Sequence, residues 1–223
     1  MGILGNFHPG KVRFAAEQGF TSIGLFADRK TALDVTQPVP DSTDEQVTNA
    51  LKQSGLFLSV IGAYQINHAA VDREERTQNN HYFERVIELA GRPGASYVGT
   101  GSGKMPGKPL LAQVEAIERV YHERYFRYAN ATECEFYGNR GLEVPTLPRG
   151  PVAYEALFKA FGSSPYVGLQ FDQSHLLWQM MDPIQAARDF ADKIYDVHLK
   201  DTEIRWPILR KVGIDPRNNE QWW

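Results

Sequence analysis

Two short apolar, β-prone runs, 166–171 and 195–199, bracket a helical pattern, and the distance between them limits how they can pack. The stretch YVGLQFDQSHLLWQMMDPIQAARDFADKIYDVHLKDTEIR, 166–205, reads as strand, loop, helix, strand. Asp182-Pro183-Ile184-Gln185 opens the helix, with Asp at the N-cap, Pro at the first helical position and Gln three residues after the cap. Ile184, Ala187, Phe190, Ala191 and Ile194 recur at helical spacing, which predicts one inward face. Asp172 and His198 stand 26 residues apart, about one strand plus one crossover. They are therefore expected at the same ends of two neighbouring parallel strands.

The same alternation fills the rest of the chain and argues for a parallel sheet with helical crossovers. Strands are expected at 2–5, 22–26, 56–63 and 95–100, and a less distinct fifth between 135 and 144, where Gly138 and Gly141 interrupt it. Helices are expected after Val12, from the Ser42-x-x-Glu45 capping box, over 76–90 with Gly91 closing it, over 110–129, and around Tyr154, Leu157, Phe158 and Phe161. That makes seven strand–helix units in one domain spanning 1–223.

Asp172, His175 and His198 at the carboxyl ends of parallel strands form a pattern suited to a divalent metal. Each also has an ordinary structural reading: Asp172 opening a turn, His175 capping, His198 hydrogen-bonded in the core. FDQSHLLWQMMDP followed by DVHLKDTEI resembles the sugar phosphate isomerase/epimerase family of xylose-isomerase-like TIM barrels, the AP endonuclease family 2 superfamily, which includes enzymes of the endonuclease IV type. The resemblance implies an α/β fold, the (β/α)8 TIM barrel. It also implies one divalent ion (Mn, Co, Mg or Zn) held by Glu, Asp, His and Glu from strands five to eight. Asp172 and His198 match the middle two. Glu133, Glu135 and Glu143 compete for the strand-five position, and spacing favours Glu143, 29 residues before Asp172 where Glu135 is 37 before. Glu143 would then serve both as metal ligand and as catalytic carboxylate.

His175 resembles the family histidine that donates to a substrate hydroxyl or a developing oxyanion. Lys200, two residues past His198, is expected to face the same way and to bind a substrate phosphate or carboxylate; Arg205 in the next loop is a second candidate. His68, beyond strand three, is a substrate-binding candidate with a competing structural reading. A barrel of this kind usually takes about 250 residues; at 223 the chain reads as truncated before the eighth strand, with no counterpart of the last glutamate. Because two carboxylates share the proton transfer in such epimerases, that reading predicts impaired turnover.

Composition excludes some partners. Net charge is −3, with pI about 6.1 and no basic stripe, so no nucleic acid is expected. No run approaches 18 apolar residues, so no membrane is expected, and the N-terminus lacks an apolar leader. The lone Cys134 fits a reducing, cytoplasmic setting. Gly99-Thr100-Gly101-Ser102-Gly103-Lys104 is no phosphate loop, since Val98 and Met105 occupy positions that motif reserves for Gly and Ser/Thr; its turn is expected to leave amides open to a substrate. Trp206, Trp222 and Trp223 read as cover for a further strand and helix, or as the contact of a homo-oligomer. The expected activity is a metal-dependent isomerase or epimerase of a sugar, sugar phosphate or polyol, acting by proton transfer beside a carbonyl. The alternatives are an endonuclease IV-like phosphodiesterase acting on DNA, or a non-catalytic barrel fragment.

Overall fold

The computed structural model describes residues 1–128, the backbone of strand 135–138, and residues 150–162 and 164–212. Strands β1 (Gly2–Gly5), β2 (Ser22–Phe26), β3 (Phe57–Ala63), β4 (Tyr97–Thr100), β5 (Glu135–Gly138), β6 (Val167–Asp172) and β7 (Ile194–His198) form one sheet in sequence order. Every neighbouring pair is parallel. The crossovers carry helices α1 (Pro9–Glu17), α2 (Asp41–Ser54), α3 (Arg73–Gly91), α4 (Leu110–Val120), α5 (Pro151–Phe161), α6 (Gln173–Leu177) and α7 (Pro183–Asp189), with α8 (Trp206–Val212) after β7. This is an α/β TIM barrel in which seven strands are described. Between the outer edges of β1 and β7 lies a seam that no strand fills among the described residues. No helix of the described residues is long and apolar enough to cross a membrane.

The core lies between sheet and helices, where Ile23, Leu25, Ile61 and Val98 meet Phe83, Val86, Ile87 and Ile117. Burying each of these side chains contributes about 1.5–3 kcal/mol before chain entropy is subtracted. On the barrel's inside the space is filled differently. Tyr64, just past β3, lies across Gly62 and Gly99, where a β-carbon would collide with its ring or hydroxyl. Strand β6 is buried on both faces: Leu169 and Phe171 pack under Tyr154, Leu176, Ala186 and Phe190, so Gln170 and Asp172 face the barrel interior.

Several elements depart from the sequence expectations. Helix α2 starts at Asp41 after Pro40, so Ser42 sits inside the first turn and caps nothing; Asp41 and Asp44 there favour the helix dipole instead. Helix α3 begins at Arg73, three residues early, because the Asp72 carboxylate accepts from Glu75 N at 2.7 Å. After Val120 the expected long helix passes into a π-helical turn, Tyr121–Tyr125. Residues 173–177, within the stretch expected as a loop, form α6. The inward face of α7 is carried by Ala186 and Phe190, while Ile184 is 64% exposed. The short helix ends at Asp189 and a 3-10 turn follows, which shifts the apolar register.

Candidate active site

The site grows from the last two described strands. Asp172 ends β6 and His198 ends β7, and the two are register partners. A register shift between Leu169 and Gln170 moves β7 by one residue, so that Asp196 pairs with Gln170 and His198 with Asp172. Without it every side chain of that end of β7 would point to the opposite face.

Asp172 also caps α6. Its Oδ1 accepts from Ser174 N at 3.0 Å and from Ser174 Oγ at 2.5 Å. Its Oδ2 lies 3.3 Å from His175 Nε2, with both side chains under a tenth exposed. The indole Nε1 of Trp178 donates to His175 Nδ1 at 3.4 Å, which makes Nε2 the proton-bearing nitrogen of a neutral ring. On β7, His198 Nε2 lies 3.6 Å from Asp196 Oδ2. A cavity of about 1260 Å³ runs along the seam, and Asp172, His175, His198 and Lys200 all line it. Lys200 is exposed, and its carbonyl accepts from Gln173 Nε2 at 3.0 Å.

The other candidates lie elsewhere. His68 has no exposed surface; its ring sits between Tyr125 OH and Thr100 Oγ1, each 2.8 Å away, edge-on to Phe83. Burial pushes its pKa down to about 3. It therefore sits in the core rather than on the cavity wall. Arg205 is exposed in the loop before α8 and is not part of the cavity lining. The turn after β4 is tied down rather than open: Lys104 N donates to Asn67 Oδ1 at 2.9 Å and Met105 N to Gln113 Oε1 at 2.7 Å. Glu135 opens β5 opposite Tyr97, at the end of the sheet away from the Asp172–His198 rim. Glu133 and Glu143 lie outside the described residues.

The donor chemistry at this rim suits a borderline divalent ion, a carboxylate and an imidazole on adjacent strands. Among the described residues, no three His, Cys, Asp or Glu side chains stand close enough to enclose one. A third ligand would have to come from outside them, as the assignment of Glu143 supposes. Sequence reasoning passed over Gln170, Asp196 and Trp178. The first two were recoverable from strand period, since each lies two residues before a candidate ligand and so shares its face.

Comparison with known proteins agrees with this fold. Residues 12–212 match the family model of the xylose isomerase-like TIM barrel. The 3-keto-D-glucoside 4-epimerase YcjR of E. coli superposes with a TM-score of 0.72 at 16% identity, over 95% of this chain and 86% of that one. A D-psicose 3-epimerase gives 0.70 at 15% identity, over 95% and 81%. An AP endonuclease of family 2 from Brucella melitensis gives 0.66 at 15%, over 95% and 88%. At such identities the likeness carries the fold alone. The uncharacterized protein YfiH of Bacillus subtilis (strain 168) is 49% identical where it aligns, over 31% of this chain; the match spans 28% of that curated relative's length. With its seven parallel strands and the family match from 12 to 212, the chain belongs to the xylose isomerase-like TIM barrel family.

Proposed function

We propose that the chain is a divalent-metal-dependent isomerase or epimerase of a sugar, sugar phosphate or related polyol, moving a proton beside a carbonyl. The observation that carries this reading is the register pairing of Asp172 with His198 at the carboxyl ends of adjacent strands, the end at which catalytic groups of this fold collect. Asp172, His198 and Glu143 would hold the ion. When bound, it supplies Lewis acidity toward a substrate oxygen. Glu143 takes the proton next to the carbonyl. His175, which lines the cavity with its Nε2–H 3.3 Å from Asp172 Oδ2, is the donor proposed for a substrate hydroxyl or for the oxygen on which charge develops. Lys200 attracts an anionic group on the substrate's far end, with Arg205, outside the cavity lining, as a second candidate, and the cavity that Lys200 lines has room for a hexose-sized molecule.

Proton transfer leaves a trace that does not require knowing the product. The protein is incubated in D2O with Mg2+, Mn2+, Co2+ or Zn2+ and a panel of ketopentoses, ketohexoses, their phosphates and inososes, then quenched with chelator. The expected result is metal-dependent loss of the proton signal beside one substrate's carbonyl, absent in His198→Ala. Metal binding without exchange on any of these substrates would sink the reading. Nicking of abasic-site DNA in the same preparations would move the assignment to phosphodiester hydrolysis, the chemistry named for the Brucella neighbour.

A further inference from the structure

Behind the candidate ligands runs a column of polar side chains inside the barrel. Gln170 is 1% exposed, and its Nε2 donates to Tyr64 OH at 3.1 Å and to Asp196 Oδ2 at 2.7 Å. The same Asp196 oxygen lies 3.6 Å from His198 Nε2. The other end of the amide, Gln170 Oε1, is buried with no hydrogen-bond partner among the described residues. Leaving a buried carbonyl oxygen unpaired is costly, and the reverse orientation of the amide would set that oxygen against the Asp196 carboxylate. The amide is thus held by what its nitrogen binds, and what it binds most closely is Asp196.

The geometry points to Asp196 as a positioning residue for His198, with Gln170 and Tyr64 as its anchor. The inference rests on the metal-site reading above. Asp196 is three-quarters buried and does not itself need to touch the ion or the substrate. At 3.6 Å the contact is longer than a hydrogen bond, and the carboxylate charge opposite Nε2 favours the tautomer with the proton on that nitrogen, which makes Nδ1 the ligating atom of this proposal. The anchor spans two strands and the loop past a third: Tyr64 follows β3, Gln170 lies on β6 and Asp196 on β7. The ring's aim is therefore set by the packing of the barrel interior, where Tyr64 lies against Gly62 and Gly99. A carboxylate behind a ligating histidine, itself hydrogen-bonded, orients the ring and raises its basicity.

Two measurements on the full chain test this. The first titrates Co2+ or Mn2+ alone into wild type, Asp196→Asn, Gln170→Leu, His198→Ala and Asp172→Ala. Asp196→Asn keeps the shape but offers His198 an amide in place of a carboxylate. It is expected to bind the ion about 10–100-fold more weakly, and Gln170→Leu to weaken it less, in the same direction. His198→Ala and Asp172→Ala should lose measurable binding. If the two alanine variants lose the ion while Asp196→Asn keeps wild-type affinity, the positioning role is wrong and the metal site stands. If the alanine variants bind as wild type, the site reading itself fails and takes this inference with it. The second measurement uses the wild-type protein, so an unfolded variant cannot block the outcome. Nitrogen-15 spectra of the His198 ring should show the Nε2–H tautomer before any metal is added. An Nδ1–H tautomer, or an averaged ring, would overturn the assignment.

Discussion

His68 and His198 stand in the same barrel, one five residues past a strand and one at a strand's last residue, and the protein surrounds them in opposite ways. His68 has two neutral hydroxyls on its ring nitrogens, aromatic rings on its faces and no solvent. Tyr125 donates to Asn80 Oδ1 at 2.8 Å and so accepts from His68 Nδ1–H, which leaves Nε2 to accept from the Thr100 hydroxyl, and both nitrogens of the neutral ring are satisfied. His198 faces a carboxylate on one side and a large cavity on the other, and its register partner is a second carboxylate. The first environment stabilises a neutral ring and stores nothing for chemistry. The second places an imidazole where a cation would complete the charge balance. Partners, not position after a strand, separate the structural histidine from the one proposed as a ligand.

The strongest way to break that contrast is to exchange the phenotypes. His198→Ala should lower divalent-ion affinity by at least about 100-fold while leaving the melting point of the metal-free protein within a few degrees. His68→Ala should do the reverse, destabilising by about 3 kcal/mol through its cavity and the stranded hydroxyls of Tyr125 and Thr100. Chemical denaturation and ion titration of both variants read this out. If His68→Ala loses the ion at unchanged stability, the division between the two histidines is wrong.

The next effect is one of pH. His68 has a folded pKa lowered from 6.5 to about 3, so below pH 6.5 the unfolded chain takes up a proton the folded one refuses. Its contribution to stability is complete above 6.5 and falls as pH drops toward 3, by up to about 1.4 kcal/mol per pH unit. His68→Gln should flatten that part of the stability curve. An equal slope in both proteins would show that the ring is not held neutral. Glu84 adds a separate acid-side loss. Burial raises its pKa, but hydrogen bonds and charge from Arg124 at 2.8 and 2.9 Å, with Arg127 beyond, leave it lowered overall. Its stabilisation is present above the ordinary glutamate value and is lost below it. Glu84→Gln, compared with wild type from pH 7 to pH 3, separates that loss from the His68 slope.

The same contrast explains what was legible in the sequence. Strands β1 and β2 fall where expected because Gly and Pro punctuation and β-prone runs mark them locally. Asp172 and His198 were legible as a pair because a strand–helix crossover of fixed length leaves little freedom in their placement. His68 was not, because its role depends on Tyr125, Asn80 and Thr100, which come from three other elements. Nor was the Gln170–Tyr64 contact, which joins residues 106 apart. The inward face of α7 was misassigned for a local reason. Ile184 fits a helical stripe only if the helix runs on to Ile194, and it ends at Asp189.

The smallest effect sharpens the comparison at the level of a single cap. Asp172 and Asp182 each cap a short helix through Oδ1, Asp172 for Ser174 N at 3.0 Å and Asp182 for Ile184 N at 2.9 Å and Gln185 N at 3.1 Å. Their other surroundings differ. Asp182 is exposed, and removing its side chain in Asp182→Ala should cost about 1 kcal/mol of stability with ion affinity untouched. Asp172 is buried, and its second oxygen lies against His175. Asp172→Asn retains an acceptor for Ser174 and so retains the cap, but it removes the charge. It should therefore shift stability by less than Asp182→Ala does, while ion affinity falls steeply. If Asp172→Asn instead unfolds the protein at unchanged affinity, Asp172 is a cap like Asp182, and the rim of β6 and β7 has no special chemistry.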